Sequence, residues 1–331
     1  MKKLIISTLI FALPLSLMAK KTAVYEKAIQ SCEAFNNMKH TNNSNDIKLS
    51  VGKEYRVLQK NRGQILILVD GERVAQRWVD ESCFANGKAD SKKEESKSSS
   101  SLSSLLKSVK DRGTPKQMHK STSKQNLLAI SWQNAFCQTH QYKRECKNMT
   151  SKDFGAFEFV LHGLWPQPRN NQYCNVDKKQ VGMDKNKQWN RLNKLELSSQ
   201  VRTDLSKMMP GYSSNLHKHE WIKHGTCYGT NASDYYADAI NLLTQVNKSK
   251  VGQFFKQNIG KTVRIDDVRK VFDKEFGNGA GKHVTMNCRK GLVTELWLHL
   301  GNKGNTLSEL FKNGERPRKT CYKGRIDAVG F

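Results

Sequence analysis

The sequence predicts an α+β fold for its long last segment, preceded by a small β-rich segment. Three observations carry this. Apolar residues alternate as strands at 127–132, 157–162 and 292–300, with groups of helical patterns between them at 189–208, 233–245 and 251–257. A Ser-rich stretch, with nine Ser in the 18 residues 91–108, divides the chain. Short strand-like runs with turn residues fill the part before it.

In chain order, the first 19 residues read as a signal peptide. Lys2 and Lys3 precede an apolar run from Leu4 to Leu17, and Ala19 suits a cleavage site. The run is too short for a membrane anchor. The Met-Lys-Lys start is of bacterial type, so a periplasmic or secreted location is expected.

Residues 20–85 form the small segment. A helix is expected over 25–35, then strands at 54–58, 64–69 and 74–79, with Asp70-Gly71 as the tight hairpin turn. This pattern resembles an SH3-like module, with cell wall, peptide or RNA as candidate ligands. Cys32 and Cys83 are its only cysteines, and pairing them would staple a unit that is small for its own core. Residues 86–123 read as a disordered Ser/Lys-rich linker, because such composition buries too little apolar surface to offset ordering entropy. A frayed helical turn is expected at most at 101–109.

Residues 124–331 form the long last segment. The whole chain has 331 residues and a net charge of +26, and this last segment holds 34 basic and 18 acidic residues. Charge of that sign and size attracts polyanions and argues against a neutral metabolic enzyme.

Two strings in this segment carry chemistry. The first runs His217-Lys-His219-Glu220-Trp-Ile-Lys223-His224-Gly225-Thr-Cys227. It reads as a helix stopped by Gly225 in the left-handed conformation. Positions three and four apart share a face, so Glu220, Lys223 and His224 project together, with His219 one turn before Lys223. Acid, cation and imidazole side by side can move a proton and hold an anion. Zinc fits poorly: His219 and His224 are five apart, about 140° around a helix axis, and Lys223 is an unwelcome neighbour for a metal. The second string runs Phe157-Glu-Phe-Val-Leu-His162-Gly163-Leu-Trp165-Pro166. It ends a strand with an imidazole, after which Gly163 and Pro166 bend the chain away.

His162-Gly-Leu-Trp-Pro166 and His219-Glu-Trp-x-Lys-His-Gly-Thr-Cys227 resemble the two active-site segments of the ribonuclease T2 family, in the same order. The resemblance spans roughly residues 127–321. It implies a fold with a central antiparallel sheet and helices. It also implies cleavage of single-stranded RNA without a metal or other cofactor, by attack of the 2′-hydroxyl on phosphorus to leave a 2′,3′-cyclic phosphate. By motif position His224 would be the general base and His162 the general acid. Glu220 and Lys223 would support the phosphorane and His219 would bind phosphate. Two imidazoles with ordinary pKa near 6.5 suit acid and base roles, and Glu220 beside His224 is expected to raise that imidazole's pKa. DNA, lacking the 2′-hydroxyl, would bind without being cut. Trp165 is a base-stacking platform or a core residue behind the site, and the two readings stand level. Gln167, where some members carry an acid, leaves base preference open.

The resemblance further implies disulfides Cys174–Cys227 and Cys288–Cys321. Cys137 with Cys146 would close a short loop, and Cys32 with Cys83 remains for the first segment. Eight cysteines allow 105 connectivities, so the sequence alone leaves the pairing open. A monomer without a membrane anchor is expected. The rival readings are an RNA-binding protein without catalysis and a metal-dependent nuclease.

Overall fold

A computed structural model describes residues 23–84, 117–119 and 121–330. The leader at 1–19, nearly all of the 86–123 stretch and the turn expected at 101–109 lie outside the described residues.

The small segment is a four-stranded antiparallel sheet in the order β1-β2-β3-β4, with β1 Tyr25–Lys27, β2 Glu54–Asn61, β3 Gln64–Leu68 and β4 Gln76–Asp80. The helix expected over 25–35 is absent. After β1 the chain stays extended and bridges the sheet through Ala28 with Phe84, Glu33 with Lys48 and Phe35 with Trp78. Burial of Ala28 and Ala34 in the sheet's own core outweighs local helical preference there. The tight hairpin is also elsewhere. Asn61 pairs with Gln64 across Arg62 and Gly63, whose φ values of 49° and 76° are those of a two-residue primed turn. Asp70-Gly71 instead lies in the longer connection from β3 to β4.

The catalytic region is built on a six-stranded sheet in the order β6-β5-β9-β10-β7, with β8 also pairing with β9. Its strands are β5 Gln125–Ser131, β6 Val160–Pro166, β7 Thr262–Arg264, β8 Val284–Arg289, β9 Leu292–Gly301 and β10 Lys323–Arg325. Pairing is antiparallel as expected, except that β10 meets β9 in parallel through Arg325 and Leu292. Around it lie α1 Gln133–Thr139, α2 Arg144–Lys147, α3 Lys178–Lys185, α4 Ser199–Met208, α5 Leu216–Lys223, α6 Ala232–Lys248, α7 Lys250–Gln257, α8 Ile265–Phe276 and α9 Leu307–Phe311. Mixed helices and sheet in this arrangement are α+β.

Two further expectations are corrected. The stretch 189–208 is not one helix. A single 3₁₀ turn at Trp189–Arg191 is followed by extended chain, and α4 begins only where the Ser198 hydroxyl accepts the Val201 N–H as an N-cap. The strand of the second motif does not end at His162 but starts at Val160 and runs through His162 to Pro166.

The two sheets share apolar packing. In β3, Ile65 and Ile67 face a small core with Leu49, Tyr55, Val79 and Phe84, while Leu66 and Leu68 face the main core of the catalytic region. The C-terminal residues Ala328 and Val329 are buried in that same main core. Gln76 holds them there by donating to the carbonyls of Ala328 (3.0 Å) and Gly330 (3.2 Å). Trp132, fully buried, donates its indole N–H to the Asp327 carbonyl at 2.7 Å. Disulfides join Cys32–Cys83, Cys137–Cys146, Cys174–Cys227 and Cys288–Cys321.

Replacing Gln76 by Ala removes the donor serving two carbonyls of the C-terminal segment. The expected cost is about 1–3 kcal/mol, read as a lower urea midpoint with an unchanged slope.

Candidate active site

The site lies where β6 and β9 of the sheet meet α5. On β6 the register slips: Ala129 pairs with Gly163 and Ile130 with Leu161, so His162 is the extra residue of a β-bulge and has no partner on β5. A bulge re-aims a side chain out of the regular alternation. Gly163 follows because nothing larger fits. A Cβ there would stand 2.1 Å from Glu220 Oε2 and 2.5 Å from Trp165 Nε1. Helix α6 fixes the next peptide, since the Tyr235 hydroxyl donates to the Leu164 carbonyl at 2.7 Å and accepts from its N–H at 3.2 Å.

Helix α5 supplies the other half. His224 sits at its C-cap with φ −120° and ψ −47°, already out of helical geometry. Gly225 does not end the helix in a left-handed conformation; it begins a 3₁₀ turn, Gly225–Cys227. It must be glycine because a Cβ would meet the Trp221 ring at 2.4 Å and the Tyr235 ring at 3.1 Å. Cys174–Cys227 ties this turn to the loop whose Tyr173 N–H donates to the Lys223 carbonyl at 2.9 Å.

Glu220 is the centre. Its side chain is 1% exposed, and its Oε1 lies 3.7 Å from His162 Nε2 and 3.8 Å from His219 Nε2. Its Oε2 accepts the Trp165 indole N–H at 2.7 Å. The Trp165 ring is 5.3 Å from the His162 ring and 5.3 Å from the His224 ring, centroid to centroid, so both motif imidazoles flank one indole. With its N–H committed to Glu220, Trp165 has only its face to offer a ligand. His219 donates Nδ1–H to Asp184 at 2.7 Å and stacks on Trp189 with centroids 4.5 Å apart. His217 is buried against Tyr212 and belongs to the packing.

The two imidazoles titrate in opposite directions. Burial opposes charge on His162, but the hydrogen bond to Glu295 and the negative charges of Glu220 and Glu295 outweigh it, and its pKa rises to about 9. Burial dominates at His224. With the positive charges of Lys223, His219 and His162 it outweighs Glu220 and holds the pKa down at about 4. The expectation that Glu220 raises His224 is therefore overturned in its net sign: Glu220 does favour the charged form, but desolvation is larger.

The motif residues His162, Trp165, Glu220 and His224 meet at one place, with His219 alongside and the Lys223 charge felt at both imidazoles. Residues 123–313 match the family model for the ribonuclease T2 family. The chain belongs to the ribonuclease T2 family. It is an endoribonuclease of the T2 type, similar to ribonuclease I of Escherichia coli K12, with 30% identity over 192 residues, 49% of this chain and 69% of that one. It is also similar to ribonuclease M of Aspergillus phoenicis, with 25% identity over 197 residues, 50% of this chain and 76% of that one. Among solved structures, the self-incompatibility-associated SF11-RNase of Nicotiana alata aligns with a TM-score of 0.42 and 17% identity, over 61% of this chain and 98% of that one.

Sequence reasoning missed several residues of this ribonuclease's site. Glu295 accepts His162 Nδ1–H at 2.7 Å, and Ser131 and Trp297 hold that carboxylate. Asp184 and Trp189 hold His219. No local pattern marks Glu295, Ser131, Asp184 or Trp189, because each lies far along the chain from the side chain it contacts. The one available signal was on β9, where Glu295 and Trp297 alternate away from the apolar Leu296 and Leu298.

Gly163→Ala should displace Glu220 and Trp165 together. We expect RNA cleavage to fall by roughly 10²-fold, as for displacements of about 1 Å at other active sites, with circular dichroism unchanged.

Proposed function

We propose that this ribonuclease cleaves single-stranded RNA by transphosphorylation, with His224 as general base and His162 as general acid. The carrying observation is that the two imidazoles flank one indole and are driven to opposite protonation states, about 4 and about 9. Between those values His224 is neutral and accepts the 2′-hydroxyl proton. The 2′-oxygen bonds to phosphorus, the bond from phosphorus to the 5′-oxygen breaks, and His162 protonates that leaving oxygen. The products are a 2′,3′-cyclic phosphate and a 5′-hydroxyl. The Lys223 ammonium offsets the charge gathering on the phosphorane oxygens, and His219, fixed by Asp184, is the phosphate-binding group. Glu220 keeps the imidazoles and Trp165 in register around the phosphate. A cavity of about 430 Å³, lined by His162, Lys143, Lys187 and Trp189, opens on the acid's side and has room for the leaving nucleoside.

Export to the periplasm or medium fits the 19-residue leader pattern and the four disulfides. The domain division at 20–85, 86–123 and 124–331 belongs to the same reading. For the first of these an SH3-like module is supported by the antiparallel order β1-β2-β3-β4. Any wall or peptide ligand would have to use a surface other than the face of β3 turned to the catalytic region.

His162→Ala and His224→Ala should each lower kcat by about 10²–10⁴-fold in the presence of EDTA. Wild-type cleavage under EDTA should yield cyclic-phosphate ends. Wild-type turnover in both variants would overturn the assignment. The sign of the pH dependence follows from the two groups. The base is lost as pH falls through about 4, and the acid is lost as pH rises through about 9. A plot of kcat/KM should therefore be flat between them; a profile still rising beyond the upper value contradicts His162 as acid.

A further inference from the structure

The mechanism gives Glu295 no task, yet Glu295 makes the one hydrogen bond of the His162 ring among the described residues. We propose that Glu295 is a positioning residue for the leaving-group acid: its carboxylate fixes the ring of His162 by holding Nδ1–H, so that Nε2 alone faces the scissile phosphate. This deepens the reading above and rests on His162 as the acid.

The geometry carries it. Nδ1 to Oε1 is 2.7 Å, and an ionised carboxylate only accepts, so Nδ1 bears the proton in both states of the ring. When the imidazolium gives its Nε2 proton to the 5′-oxygen, the neutral ring left behind is already the Nδ1–H tautomer and need not turn. The carboxylate is itself anchored from two sides. Ser131, its register partner on β5, donates to Oε1 at 3.0 Å, and Trp297, two residues along β9, donates to Oε2 at 2.8 Å. Such anchoring matters because His162 sits in a bulge, without the paired neighbour that would otherwise hold its strand position.

The other charges facing His162 do not duplicate this. Glu220 lies 3.7 Å away, on the Nε2 side, and also serves Trp165 and His219. Lys223, at the end of α5, opposes charge on the ring, while His224 beside it is neutral above about 4. Lys143, Glu145, His140 and Lys187 stand along the adjoining cavity wall. Glu295 is therefore the group whose charge and hydrogen bond both act on Nδ1.

The test pairs Glu295→Gln with Glu295→Asp, each read by the pH profile of RNA cleavage and by ¹H–¹⁵N NMR titration of the His162 ring. Gln keeps an accepting oxygen but removes the charge. His162 should then titrate close to the ordinary value of about 6.5. The alkaline limb of kcat/KM should move down with it, and the loss at pH 8.5 should exceed the loss at pH 5.5 by roughly tenfold or more. Asp, which keeps the charge, should restore much of the alkaline limb. Equal loss at every pH with an unmoved His162 titration would overturn the proposal and leave Glu295 a structural residue. A titration that moves while the alkaline limb stays would support the hold on His162 and overturn its role as acid. Should the Gln variant not fold, the wild-type titration decides alone: a His162 ring titrating at or below the ordinary value sinks the inference.

Discussion

The site is organised by a negative charge that has no access to water. Glu220 is almost wholly enclosed, and an enclosed carboxylate is tolerable only when donors and cations surround it. The Trp165 indole N–H, the imidazoles of His162 and His219 and the nearby ammonium of Lys223 meet that demand. The same charge explains why β6 and α5 can press together only if position 163 has no side chain, since the carboxylate occupies the space a Cβ would need. The Cys174–Cys227 bridge and the Tyr235 hydroxyl then hold the two elements at that spacing. Removing the charge would leave the cations facing one another.

Around this centre two chemically identical rings become different reagents. His162 is caught between two carboxylates, and His224 lies in a drier place among like charges. The difference arises from the elements they stand on. A strand bulge brings His162 on β6 within reach of an acid on β9, across the intervening β5, while the helix end places His224 against the indole without a hydrogen-bonding acid of its own. Environment, not residue type, divides acid from base.

Much of this was legible in the sequence, for a physical reason. The motif residues lie only three or four positions apart within each string, so local geometry alone brings His162 near Trp165, and Glu220 near Lys223 and His224. What was illegible depends on pairing between distant segments. Glu295 touches His162 across 133 positions, and Asp184 touches His219 across 35. The sign of the His224 shift was misread because desolvation depends on the packed neighbours, which no spacing reveals. In the first segment the helix expected over 25–35 failed to sheet pairing, and the tight turn lay at Arg62-Gly63, a pair with weaker turn character than Asp-Gly. One clue went unread: Ile65, Leu66, Ile67 and Leu68 form an unbroken apolar run, the mark of a strand covered on both faces.

That doubly covered strand sets an order of assembly. Leu66 and Leu68 are made some 260 positions before Ala328 and Val329, which are buried in the same core. The β1–β4 unit must wait, with one face still wet, for residues 328 and 329 to arrive. Completion of the β1–β4 sheet thus depends on chain made far downstream, and a polypeptide stopped before residue 328 would leave a greasy surface on that sheet.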